Sequence, residues 1–478
     1  MSGIEESLKK TNQQHLLQYL QNLAPTQRST LTTQLETLDW SLIQSLITDY
    51  IRSPHHLEPP ADVHPAPYFS LTPESETQRD YYDRARNEGN ALIAAGAVAA
   101  FTVAGGQGSR LGYAGPKGMF PISPIKQKSL FQLFSEKIQF YSNRHKVRIP
   151  WYIMTSTSNH NATRTFFEEN DFFGMNSDDV MFFQQGELPS FTFDGNLILA
   201  DEDRLFMSPD GHGGSLRAIS RSGALDDMKK RGCRYISYFQ VDNPLATVLD
   251  PLFIGLHHLE KSDVSSRMIP KRHAGEKMGV FCHVDGKLQI IEYSDLPSEL
   301  AESRNSEGTL KFIAGSPAIH IFSIDFVAKL SSGECSLPYH LARKKIPYYT
   351  PSAGIVDPEE PNGIKLETFV FDALQFANRS IILEADRTTE FAPVKNAEGS
   401  DSPATCQHMM MAMHAQWLKK NGIDVPENGE GELLCSIEIS PLVAAAKEDL
   451  AALTLPDLIT PDQKVYIDEL SCRPISSG

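Results

Sequence analysis

From Glu76 to Ile269, short apolar runs alternate with amphipathic stretches, and this alternation restricts the fold more than any other feature of the chain. A helix over Glu76–Gly96 leads into strand Val98–Val103. The pattern then predicts helix Leu130–Asn143, strand Pro150–Thr155, helix Asn161–Glu169, strand Val180–Phe183 and helix Leu216–Lys230. Strand Tyr235–Val241, helix Pro251–Lys261 and strand Val264–Ile269 complete the series. Helices of this length between short strands imply right-handed crossovers and a mostly parallel, Rossmann-like α/β sheet covered on both faces. Ligands of such sheets gather beyond the C-terminal strand ends, where the loop after Val103 and the pair Asp242-Asn243 both fall.

The flanks read differently. Residues 4–52 suggest three short amphipathic helices, with Leu16, Leu17, Leu20 and Leu23 on the first face and Leu42, Ile43, Leu46 and Ile47 on the third. Residues 53–73 hold six prolines and read as an extended connector. Within it, His55, His56, His64, Glu58 and Asp62 are either a metal clip or solvated side chains, and a proline-rich stretch offers no regular element to converge them. Alternation around Asp194-Gly195 and Asp285-Gly286 predicts hairpins over 188–201 and 278–293. Strand Ser380–Glu384 and helix Thr405–Lys419 follow, the latter with a Met409–Met413 run read as core filler. The Asn421-Gly422 break and the polar run 427–432 mark a boundary before strand Leu433–Ile439. The expected division is a helical region 1–97, a central α/β domain 98–425 and a small C-terminal β-containing unit 426–478.

A net charge of −16 over 478 residues argues against a nucleic-acid or anionic-membrane partner, so an anionic substrate must meet a local basic site. The six cysteines, Cys233, Cys282, Cys335, Cys406, Cys435 and Cys472, form no C-x-x-C pair and read as reduced. The N-terminus lacks a basic-then-apolar profile and no 18-residue apolar span occurs. A cytoplasmic protein, monomeric or weakly homo-oligomeric, is expected.

The stretch Phe101–Lys117 carries the clearest chemistry. Its strand stops at Gly105-Gly106, where positive φ is open and no side chain blocks an anion from the exposed peptide N–H groups; Arg110 and Lys117 add two cations. The spacing Gly106-x-Gly108-x-x-x-Gly112 is one residue too long for a dinucleotide loop, and Lys117 after Pro116 does not open the helix a Walker loop needs. A phosphate cradle and a glycine-rich turn with solvated cations remain the two readings.

Gly-Gly-Gln-Gly-Ser-Arg-Leu-Gly followed by Pro-Lys-Gly resembles the activation loop of the UDP-N-acetylhexosamine pyrophosphorylase family, with Ser109 where the family has Thr. Five further stretches resemble it in order: Phe182–Gly186 with Leu188-Pro189, Pro209–Gly214, Tyr238–Asn243, Asn362–Asp372 and Glu390–Ala397. The resemblance implies a nucleotide-sugar transferase (GT-A-like) sheet and the reaction of UTP with a sugar 1-phosphate, N-acetylglucosamine 1-phosphate first, to give UDP-sugar and pyrophosphate. Glucose 1-phosphate, a broader range of sugar phosphates, or a catalytically silent nucleotide-sugar binder are the alternatives.

By the same resemblance, Arg110, Lys117 and Lys395 are the catalytic cations and Asp242 holds Mg²⁺. Gly105, Gly106, Gly108, Ser109, Gln185 and Gly211 bind UTP, while His212, Gly279, Glu292, Ser316, Lys365, Phe369 and Phe371 bind the sugar. Asp242 also reads as a helix cap near Pro251, Lys365 and Lys395 as surface lysines, and Gln185 as solvated. The family has Asn at the positions of His212 and Ser316; a His in a Gly-His-Gly loop is similar instead to UDP-glucose and broad-specificity pyrophosphorylases.

Overall fold

Strand Val98–Val103 lies between Trp151–Thr155 and Tyr235–Gln240, parallel to both, and Val180–Gln184 extends the parallel run outward. Every residue of Trp151–Thr155 is buried, as a strand covered on both faces requires. Beyond Tyr235–Gln240 the direction reverses. His320–Ser323 runs antiparallel to that strand and to Val264–Pro270, which takes Ser380–Glu384 as a parallel neighbour. Val280–Val284, Lys287–Ile291, Ala314–Gly315 and Val63–Pro65 complete an 11-stranded sheet. In this computed structural model the chain is described over residues 2–52, 62–332, 336–456 and 458–468.

Two units share the chain, one formed by residues 2–52, 185–217 and 336–372 and the other, which holds the sheet, by the rest. In the sheet unit, helices Glu76–Ala94 and Pro251–Leu259 cross at Gly89 and Gly255, where a β-carbon would strike the backbone of Pro251 and of Ala85 respectively. The helix expected over 216–230 is two, Gly214–Arg221 and Ala224–Lys230, because Gly223 turns left-handed at φ 80°. The Asp285-Gly286 hairpin forms with both turn residues at positive φ, 50° and 76°. Ser436–Ile439 and Lys464–Ile467 pair in parallel as a separate small sheet with its own apolar cluster around Ile437, Ile439 and Val465.

In the other unit, Gly363–Thr368 pairs with Tyr339–Lys344 and Phe191–Thr192. Four α-helices, Ser2–Lys10, Gln14–Asn22, Pro25–Glu36 and Trp40–Ser45, replace the expected three, because the turn at Asn12 (φ 59°) ends one early. Leu8, Leu16, Leu31, Leu35 and Leu46 pack on Phe191, Ile364 and Leu366. Buried Gln13 donates to the Gly195 carbonyl at 2.9 Å and accepts from the Leu197 N–H at 2.8 Å. The N-terminal helices thus grip the Asp194-Gly195 turn. The hairpin expected over 188–201 closes only there: Phe191 bridges Leu197, whereas Leu199–Asp201 pairs with Arg204–Leu205.

Cys233, Cys282, Cys406 and Cys435 are free and buried; Cys335 and Cys472 lie outside the described residues. So do His55, His56 and Glu58, while His64 meets Asp62 at 2.7 Å between two exposed side chains. Among the described residues there is no group of three or more metal-ligating side chains, and no helix is long and apolar enough to cross a membrane.

His257 and His414 are buried in the sheet unit, and desolvation pushes their pKa values down to about 3 and about 4. A folded pKa below the unfolded value means that the unfolded chain binds more protons as pH drops. Their contribution is therefore full above an unfolded pKa of about 6.5 and lost as pH falls through the folded values. Chemical denaturation midpoints are expected to stay level from pH 8 to 7 and to fall between pH 6 and 4. In His257→Gln, which keeps a polar side chain without a titrating ring, that fall should be shallower; an unchanged slope would mean that His257 takes its proton without cost.

Candidate active site

In the sheet unit Gln240 is register partner to Val103, so the glycine loop and Asp242 leave from one edge. The loop returns on itself: the Gly108 N–H donates to Gly115 O at 2.8 Å and the Lys117 N–H to Gly106 O at 3.0 Å. The short turn Lys117–Met119 then rests on the Phe131 ring, which fills the space a β-carbon on Gly118 would take. These contacts place Lys117 Nζ 3.5 Å from Asp242 Oδ2, with side chains only 10% and 16% exposed. Gly105 and Gly106 do not adopt the positive φ expected of them; the backbone runs on from the strand and makes its left-handed turn at Gly112, φ 70°. Gly108 also has a negative φ, −81°, and is glycine because a β-carbon would press on Tyr113 at 2.9 Å. The peptide N–H groups of Gly105, Gly106 and Gln107 donate to no backbone carbonyl among the described residues, which leaves three adjacent donors for an anion. Ser109 and Arg110 follow on an exposed turn.

Asp242 is not a helix cap. Asp250 caps Pro251–Leu259 by accepting from the Leu252 N–H at 2.8 Å. The Asp242 carbonyl instead accepts from the Val394 N–H at 2.8 Å, which fixes the chain one residue from Lys395. Asn243 secures the same segment, donating to Glu390 O at 2.8 Å and accepting from the Ala392 N–H at 2.9 Å. Lys395 is half-buried with Nζ 5.8 Å from the centre of the Phe391 ring. Lys137 holds the other side, donating to Pro244 O at 2.6 Å and Ala246 O at 2.9 Å, and burial pushes its pKa down to about 8. Lys117, Asp242 and Lys395 are thereby gathered at the strand ends.

Gly279, Glu292 and Ser316 make a second group in the sheet unit. The Ser316 N–H donates to Gly279 O at 2.9 Å, and a β-carbon on Gly279 would lie 3.3 Å from Glu292 Oε1. The Ser316 hydroxyl accepts from the Ala318 N–H at 3.3 Å, so it serves its own turn.

In the other unit, Gln185 is half-buried and its amide has no hydrogen-bond partner among the described residues. Gly211 has φ 84° and sits against the backbone of Thr368, so that position requires glycine twice over. His212 Nδ1 accepts from the Val370 N–H at 3.1 Å, which places the ring proton on Nε2. Desolvation, with a smaller push from His340, lowers its pKa to about 4, so the imidazole is a neutral donor at physiological pH. Its ring stacks on Phe369 at 5.2 Å and tilts against Phe371 at 5.7 Å. Lys365 lies on Gly363–Thr368 with Nζ 5.1 Å from the Phe206 ring centre, and burial lowers its pKa.

Three supporting residues escaped the sequence reading. Asn159, buried, donates to Ala104 O at 2.9 Å and Gly106 O at 3.3 Å and accepts from the Ser156 N–H at 2.8 Å, pinning the glycine loop. Its only signal is a polar residue before a helix, which reads as a cap. The sequence places Asn243 beside Asp242 at the strand end but assigns it no role of its own. His340, on strand Tyr339–Lys344, stacks on Phe369 at 4.3 Å and meets Asp372 of the helical turn Val370–Phe376 at 2.8 Å, a contact between distant segments that no local pattern announces.

A family model described as UTP--glucose-1-phosphate uridylyltransferase matches residues 62–448. The UDP-N-acetylhexosamine pyrophosphorylase-like protein 1 of Xenopus tropicalis is 37% identical over 470 residues, 92% of each chain. The UDP-N-acetylglucosamine pyrophosphorylase of Saccharomyces cerevisiae is 36% identical, covering 93% of this chain and 92% of its own. The Trypanosoma brucei uridine diphosphate N-acetylglucosamine pyrophosphorylase, solved with an inhibitor, superposes with a TM-score of 0.81 at 28% identity over 97% of both chains. With its glycine loop, its Lys117–Asp242 pair and these likenesses along nearly all its length, the chain belongs to the UDP-sugar pyrophosphorylase family of uridylyltransferases.

Proposed function

We propose that this chain transfers the uridylyl group of UTP to N-acetylglucosamine 1-phosphate, giving UDP-N-acetylglucosamine and pyrophosphate. The Lys117–Asp242 pair beside three unengaged peptide N–H groups at the parallel strand ends carries the reading, since a cation next to several anion donors suits a triphosphate. A phosphate oxygen of the sugar 1-phosphate attacks the α-phosphorus of UTP. The bond from that phosphorus to the bridging oxygen breaks, and pyrophosphate leaves with the electron pair. Both reactants are anions, so charge neutralisation and in-line positioning supply most of the catalysis and no protein nucleophile is required.

Lys117 and the N–H groups of Gly105, Gly106 and Gln107 neutralise the β- and γ-phosphates, joined by Arg110. Lys395 serves the sugar phosphate. Gln185 pairs with the uracil edge and Gly211 lets the base approach the backbone. His212 donates from Nε2 to a sugar hydroxyl, and Phe369 and Phe371 give the sugar an apolar face; Glu292, Gly279, Ser316 and Lys365 are assigned to its remaining polar groups. A single carboxylate with no cluster of three ligating side chains among the described residues fits Mg²⁺, which keeps waters and takes its other ligands from substrate phosphates. Asp242 would hold that ion, whose charge offsets the repulsion between the two phosphates when bound.

Glucose 1-phosphate is the second reading. His212 offers a donor any hexose hydroxyl accepts, and the Ser316 hydroxyl is engaged by Ala318, so neither residue is committed to an acetamido group. Steady-state kinetics with both sugar phosphates, on the wild type and on His212→Asn with Ser316→Asn, test this. Loss or gain of one polar contact is worth about 1 kcal/mol, or several-fold in kcat/KM. The wild type is expected to use the acetylated sugar, and the double variant to raise that preference several-fold. A wild type confined to glucose 1-phosphate would overturn the substrate, and an unmoved ratio would remove both residues from the sugar pocket.

A further inference from the structure

Glu438 is a buried carboxylate for which the transfer reaction has no use, and its contacts lead back to the loop that carries Lys117. It lies on Ser436–Ile439 of the small C-terminal sheet and is 1% exposed. Its Oε2 accepts from two consecutive backbone N–H groups, Ile125 at 2.6 Å and Lys126 at 2.9 Å, while Oε1 is buried without a hydrogen-bond partner among the described residues. All of its side-chain hydrogen bonding is therefore directed at one hairpin tip.

That hairpin begins three residues after Lys117. Pro121 bridges Ser129, the Ile122 N–H donates to Lys128 O at 2.9 Å, and the Leu130 N–H donates to Phe120 O at 3.1 Å. The stretch from Lys117 to Leu130 is thus tied at its neck to the start of helix Leu130–His145 and at its tip to Glu438. Ser440, one residue past that strand, and Tyr466 of the small sheet also meet the hairpin. Lys128, buried, reaches Glu136 Oε2 at 2.6 Å and Ser440 Oγ at 3.5 Å, and Lys126 lies 4.5 Å from the centre of the Tyr466 ring.

We infer that the C-terminal sheet, through Glu438, positions Lys117 for its work on the triphosphate, which makes Glu438 a positioning residue of the transfer reaction. The inference rests on the reading of Lys117 as the phosphate-binding cation. Hydrogen bonds to a carboxylate are about twice as strong as those to a neutral acceptor, so Glu438→Gln should loosen the tip and Glu438→Ala should release it. Since a displacement of about 1 Å can cost up to 10²-fold in rate, kcat is expected to fall about 3- to 10-fold for Gln and further for Ala. KM for the sugar 1-phosphate should stay within about two-fold, because Glu438 is tied to the Lys117 hairpin and not to the sugar contacts.

Amide exchange supplies a readout independent of rate. Residues 117–128 are expected to exchange faster in Glu438→Gln while strand Val98–Val103 keeps its protection. A Gln variant with wild-type kcat and faster exchange at 117–128 would reduce Glu438 to a structural tie and overturn the inference, as would unchanged exchange. Should the Ala variant fail to fold, the Gln variant alone decides. Lys117→Ala measured alongside separates the two failures: if it turns over as wild type, the reading of Lys117 falls, whereas a crippled Lys117→Ala beside an unaffected Glu438→Gln removes the positioning role only.

Discussion

Lys117→Ala is expected to lower kcat roughly 10²–10³-fold, about 3–4 kcal/mol of transition-state stabilisation, with KM for UTP moved much less. Charge builds on the leaving pyrophosphate as its bond to the α-phosphorus breaks, and a cation already fixed there needs no reorganisation. Lys117 is fixed: its side chain is 10% exposed and lies 3.5 Å from Asp242, on a turn seated against Phe131. At an effective dielectric of 20 that separation corresponds to about 5 kcal/mol of attraction before desolvation. Removal of Lys117 therefore also leaves a mostly buried carboxylate unpaired, and some loss of stability should accompany the loss of rate. Assays well below the melting point, with and without saturating UTP, separate the two. A variant changed only in KM would assign Lys117 to ground-state binding.

Asp242→Ala should reduce turnover roughly 10²-fold or more and flatten the dependence of the residual rate on Mg²⁺, since a metal ion contributes several kcal/mol of charge stabilisation. The fold should survive. The cap of Pro251–Leu259 belongs to Asp250, and the hydrogen bond from Val394 is accepted by the Asp242 backbone, which Ala retains. A Mg²⁺ titration of the rate checks this, with circular dichroism of the same sample. A variant that responds to Mg²⁺ as the wild type does would release Asp242 from the metal, and one that unfolds would make it structural.

The parallel half of the sheet was legible because short apolar runs give way to helical spacing several times in succession, the pattern of strands covered on both faces by helices. Its antiparallel half was not: His320–Ser323 and Ala314–Gly315 are too short to show a period. The N-terminal helices were legible as helices but not as the clamp on Gly195, because Gln13 and Gly195 are brought together only by tertiary packing. Lys117 and Asp242 could be singled out by residue type at the ends of adjacent strands. The residues that hold them in place, Asn159, Asn243 and Glu438, are polar side chains bonded to distant backbone, and nothing in their neighbouring sequence tells such a bond from a cap or a solvated turn. Of the two properties read into the glycines at 105 and 106, the unengaged peptide N–H groups are there and the positive φ is not: the left-handed turn belongs to Gly112.

Phosphorus-31 NMR of one reaction mixture tests the central claim most directly. With UTP, Mg²⁺ and N-acetylglucosamine 1-phosphate, the β- and γ-phosphate signals of UTP and the monoester signal of the sugar phosphate should decline together, replaced one for one by pyrophosphate and the paired signals of a UDP-sugar. Release of UMP or orthophosphate without a UDP-sugar, or no change across a panel of sugar 1-phosphates, would contradict uridylyl transfer by this chain.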